Sequence, residues 1–118
     1  MISAISLGKV FEGQMDYYNK KLSFRLVFEK VEGENFESQS SIYTEGFGFL
    51  LDISKSSNGK IIMQPENSLS LSWTDEKSDF NAEYDLINET IKGKFNQNVE
   101  FNSDIQGSFL LNVLNVNN

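Results

Sequence analysis

The chain has 118 residues, 39% of them hydrophobic and 23% charged, and seventeen acids against ten bases leave a net charge of −7. It contains no Cys and no His, which excludes a disulfide scaffold, a thiol nucleophile, a Ser-His-Asp triad and imidazole metal ligands. The length is that of one domain, expected over 1–118, with the capacity to bury about two-thirds of its surface.

The N-terminal stretch Met1-Ile2-Ser3-Ala4-Ile5-Ser6-Leu7-Gly8-Lys9 lacks a basic start followed by an apolar run. It does not read as a secretory signal, and a cytoplasmic protein is expected. A first strand is expected over 3–13. Met15-Asp16-Tyr17-Tyr18-Asn19-Lys20-Lys21 reads either as a turn or two of helix or as a connection.

From there, period-two alternation dominates. Leu22, Phe24, Leu26 and Phe28 share one face of a strand over 22–32, with Ser23 and Arg25 on the other. Phe47, Phe49, Leu51 and Ile53 share a face of a strand over 41–53. After Ser56-Ser57-Asn58-Gly59, which reads as a tight hairpin turn, strands follow over 60–64 and 68–74, separated by Pro65. Leu69, Leu71 and Trp73 point inward in the second of these. Phe80, Ala82, Tyr84 and Leu86 line a strand over 79–87, and its opposite face carries Asn81, Glu83 and Asp85. Strands over 90–96 and 105–116 complete the set, and the tail 115–118 is expected to fray. Glu32-Gly33-Glu34-Asn35, Asn88-Glu89 and Asn102-Ser103-Asp104 mark further turns.

Ile91-Lys92-Gly93-Lys94-Phe95 and Ile105-Gln106-Gly107-Ser108-Phe109 share an Ile-x-Gly-x-Phe pattern. Gly between two large inward residues lets a sheet coil or lets a neighbouring aromatic lie over the backbone. The expected fold is therefore all-β: about eight antiparallel strands in an up-and-down barrel or a sandwich, calycin-like in outline.

Catalytic and cofactor chemistry finds little support. Glu83 and Asp85 share a strand face and could in principle run glycoside hydrolysis, but exposed carboxylates on an outer face are the plainer reading. Asp75-Glu76-Lys77-Ser78-Asp79 lacks the Gly and the spacing of a calcium loop. Gly46-Phe47-Gly48-Phe49 lacks the Lys-Ser/Thr of a phosphate cradle. No enzyme, metal or cofactor is expected. The longest apolar runs have three residues, far short of a membrane span of about 20. Ten scattered bases form no stripe for nucleic-acid phosphates or for an anionic membrane.

Acid clustering is the strongest functional signal. Asp75, Glu76, Asp79, Glu83, Asp85 and Glu89 fall within fifteen residues with Lys77 as the one base. Glu29, Glu32, Glu34 and Glu37 form a second run around Lys30. Plain solubility charge would account for either run. The functional reading is a negative surface that steers a basic partner. In that reading Asp75, Glu76, Asp79, Asn81, Glu83, Asp85 and Glu89 form the docking strip, and Trp73 and Tyr84 serve either as nearby anchors or as core.

A small, acidic chain with these runs, no signal and no catalytic constellation resembles the immunity proteins of bacterial contact-dependent growth inhibition. The resemblance is one of class and carries no motif, so it assigns no residue a role. It implies stoichiometric occlusion of a basic, nuclease-like toxin, with acids standing in for nucleic-acid phosphates. Phage-encoded inhibitors of host nucleases share the profile. A calycin-like carrier of a small apolar ligand is the other reading, although the inward set Phe24, Phe28, Phe47, Phe49, Trp73, Phe95 and Phe109 is bulky enough to fill a barrel.

Overall fold

The computed structural model describes residues 7–17, 20–46, 49–64, 67–74, 78–98 and 104–114, with the backbone alone at 20, 43–46, 49–56 and 63. Eight strands are present: β1 (Val10–Tyr17), β2 (Lys20–Glu32), β3 (Asn35–Gly46), β4 (Phe49–Gln64), β5 (Ser68–Thr74), β6 (Ser78–Asp85), β7 (Thr90–Gln97) and β8 (Ile105–Val113). Each pairs antiparallel with the next, and β1 pairs with β8 to close an up-and-down barrel. Closure matters physically because it removes the open edges that a flat sheet of eight strands would expose.

Alternation in the sequence becomes inside and outside in the barrel. Phe24, Leu26 and Phe28 of β2, Leu69, Leu71 and Trp73 of β5, and Phe80, Ala82 and Tyr84 of β6 are all buried. An eight-stranded barrel has an interior just wide enough for side chains to fill. Here aromatic rings fill it. Trp73 stacks on Phe80 at 5.0 Å, Phe24 meets Phe109 edge-on at 5.3 Å, and Phe11 meets Tyr84 at 5.3 Å. Edge-to-face and offset contacts of this kind add to the stabilisation from burial alone.

The repeated Ile-x-Gly-x-Phe pattern has a direct structural cause. The register of β7 and β8 sets Gly93 opposite Phe109 and Phe95 opposite Gly107. Each phenylalanine ring lies on the other strand's glycine: a Cβ on Gly93 would sit 2.7 Å from the Phe109 ring, and one on Gly107 would sit 2.5 Å from the Phe95 ring. The two motifs form one reciprocal lock, which lets the barrel wall curve under its bulkiest core residues.

Several boundaries differ from the sequence-based expectation: residues 7–9, expected in the first strand, precede β1, residues 36–40, expected in no strand, belong to β3, and residues 86–87 of the strand expected over 79–87 lie in the β6–β7 turn. Residues 56–59 lie within β4, not in a turn. Gly59 sits there because the Phe36 ring covers it, 2.3 Å from where a Cβ would be, and close ring contact demands glycine as strongly as a turn would. The expected strand over 41–53 straddles the reversal from β3 to β4, where Gly46 pairs with Phe49. Residues 15–17 and 20–21, read as a short helix or a connection, form the adjoining ends of β1 and β2, with Tyr17 opposite Lys20. Pro65 and the tail 115–118 lie outside the described residues, as do positions 3–6 of the expected first strand and Asn102 and Ser103 of an expected turn.

Candidate functional site

Closing the barrel aligns outward side chains of non-neighbouring segments into rungs. One rung runs Lys30, Glu37, Asn58, Thr74, Asp79 and Asn96, each directly opposite the next across β2 to β7. Part of this rung lines an outer groove of about 860 Å³. Its ionisable side chains are Lys30, Glu32, Glu37, Lys60 and Asp79. Glu32 and Glu37 of one acidic run and Asp79 of the other, more than forty positions away in sequence, therefore line one concavity.

Electrostatics within the groove is uneven. Lys30 Nζ lies 3.4 Å from Glu32 and 3.9 Å from Glu37, so one ammonium sits between two carboxylates. Lys60 Nζ instead donates to the Asn35 side-chain oxygen at 2.6 Å. Exposed pairs of this kind contribute little to stability. Their charges remain free to respond to an incoming partner.

The other strip residues are distributed differently. Asn81 lines both this groove and a second one of about 1030 Å³, whose lining runs from β4 through β8 to β1. Glu83 belongs to the second groove, and the register sets Lys92 directly opposite it, with Lys94 opposite Asn81. Three lysines, Lys21, Lys92 and Lys94, line that groove against Asp16 and Glu83, so its surface is mixed in sign. Asp85 serves the β6–β7 turn: its carboxylate accepts the Ile87 amide at 3.0 Å, the Asn88 amide at 3.1 Å and the Asn88 side-chain amide at 2.8 Å. Glu89 pairs with Lys9 at 3.0 Å and holds a positive φ of 53° in the same turn. Asp75 and Glu76 lie outside the described residues.

Among the described residues two carboxyls depart from their ordinary range, and both move down. Hydrogen bonds from the Asn88 side chain and amide, with that of Ile87, lower Asp85. A hydrogen bond from the Lys21 ammonium, then its charge, then the Ser108 hydroxyl lower Asp16. That direction is opposite to the one a general acid requires. No cluster of three or more metal-ligating side chains occurs among the described residues, and no helix there is long and apolar enough to cross a membrane. Trp73 and Tyr84 are core residues, 3% and 1% exposed.

Glu32 and Glu37 are visible in sequence as members of the acidic run around Lys30, yet nothing local ties them to Asp79. Only the order β3-β4-β5-β6 does so. Comparison of the chain with known protein families and with curated proteins finds no match to either.

Proposed function

We propose that the chain is a non-enzymatic inhibitor of a basic protein, acting as an immunity protein acts on a nuclease-like toxin in the cytoplasm of the cell that makes it. The observation that carries this reading is the convergence of Glu32, Glu37 and Asp79 on one groove. A chain carrying −7 attracts a cationic surface from a distance, and the strand scaffold fixes the backbone positions from which the carboxylates reach it. The occupied interior supports the same reading against a calycin-like carrier, because core rings stand where a small apolar ligand would sit.

The test uses a toxin encoded beside this chain's own reading frame. Co-expression should restore growth to cells making the toxin. Purified wild-type protein should bind it with an association rate that falls as salt rises, and Glu37→Lys with Asp79→Lys should slow association about tenfold or more at low salt. Binding that ignores both charge reversals and salt would overturn the acidic groove as the docking surface.

A further inference from the structure

One feature of the interior is not explained by packing. Ser38 of β3 and Ser57 of β4 are directly opposite each other, and both are buried, at 1% and 7% exposure. Neither hydroxyl has a hydrogen-bond partner among the described residues. Ser38 is flanked on its other side by Phe28 of β2, whose ring meets that of Phe36 at 5.3 Å. Two small polar side chains thus stand in a core otherwise built from aromatic and aliphatic side chains.

Alanine would fill the same space without a polar atom, and a buried hydroxyl left unpaired is unfavourable. Paired buried hydroxyls are retained where a third group satisfies them. Geometry says which kind of group fits. Directly opposed residues of an antiparallel pair have Cβ atoms about 4.5–5.5 Å apart. An oxygen placed between two such hydroxyls can sit within an ordinary O–H···O distance of about 2.7–2.8 Å from each.

We propose that Ser38 and Ser57 form an interior binding site for one uncharged oxygen, which accepts a hydrogen bond from each hydroxyl. The oxygen is that of a single buried water, since the packed core leaves no place for an organic guest. A carboxylate is disfavoured, because no cationic side chain is among the core residues around the pair. This site is independent of the outer groove and of the partner proposed for it.

The experiment is a crystal structure of the full chain at atomic resolution, combined with mass spectrometry of the denatured, purified protein. The expected result is density for one oxygen within hydrogen-bond distance of both Oγ atoms. Density with no organic molecule released identifies water, and an organic molecule released at one equivalent would overturn the proposal. In Ser38→Ala with Ser57→Ala, the density should disappear. Direct bonding of the two hydroxyls to each other, or to main-chain carbonyls with no intervening density, would overturn the proposal. Should the double variant fail to fold, the wild-type structure alone still decides between these outcomes.

Discussion

At the scale of single residues, the carboxylates of this protein divide by what they touch. Asp85 shares an outer strand face with Glu83, yet its oxygens are occupied by three donors of the β6–β7 turn. Such a carboxylate organises its own backbone, as an Asx-type turn does. The pH dependence follows from the lowered pKa. A depressed carboxyl contributes stability that is fully present above its unfolded value, about 3.9. That contribution is lost as pH falls through the folded value. Asp85→Ala should therefore lower the melting temperature at neutral pH, and the gap from wild type should hold down to about pH 5 and narrow below about pH 4. Thermal melts followed by circular dichroism across that range check it. A gap independent of pH would mean the charge of Asp85 plays no part in the turn. Charge reversal at Asp85 would accordingly report on turn integrity before it reported on docking.

Among the elements, the sequence was most legible where side chains alternate over a full strand and least legible at the reversals. The parity of β2, β5 and β6 can be read directly from Leu22 to Phe28, Leu69 to Trp73 and Phe80 to Tyr84, because burial of one face imposes period two. Asn58-Gly59 misleads for a definite reason: glycine is demanded both by a turn and by a ring lying over a strand, and local sequence does not distinguish them. A double-mutant cycle does. Gly59→Ala should cost about 1–3 kcal/mol through overpacking, since its Cβ would meet the Phe36 ring and the Ser72 carbonyl oxygen at 2.6 Å. Combined with Phe36→Leu, the loss should fall short of the sum of the single losses by about 0.5 kcal/mol or more, as expected for residues in contact. Urea denaturation of the four proteins measures it. Strict additivity would show that the ring does not constrain Gly59. The groove was illegible for a related reason. Glu37 and Asp79 come onto one rung only through Asn58 and Thr74, and register between strands is a property of the whole barrel.

For the molecule as a whole, the consequential question is whether the barrel is a container or a solid support. Phe24 answers it best, because it is fully buried at mid-barrel between ring neighbours on two other strands, Phe80 at 6.3 Å and Phe109 at 5.3 Å. In a container, the interior accepts apolar molecules as it stands, and trimming one lining ring merely enlarges the cavity at modest cost. In a solid core, the ring is part of a close-packed set, and its removal leaves a void that its neighbours only partly close. Phe24→Ala should then cost about 3–5 kcal/mol, a large share of the roughly 5–15 kcal/mol that holds such a domain together. Ligand behaviour should invert with it. Wild-type protein should give no saturable binding of a fluorescent fatty-acid probe, while Phe24→Ala, where it remains folded, should take up benzene in the new apolar void. Saturable probe binding by the wild type, together with a loss well under 2 kcal/mol in the variant, would restore the carrier reading. The solid core also bears on the outer groove. Strands backed by packed rings hold the backbone positions of Glu37 and Asp79 in one relation across β3 to β6, while their exposed side chains keep rotamer freedom that docking of a basic protein, as proposed, would have to order.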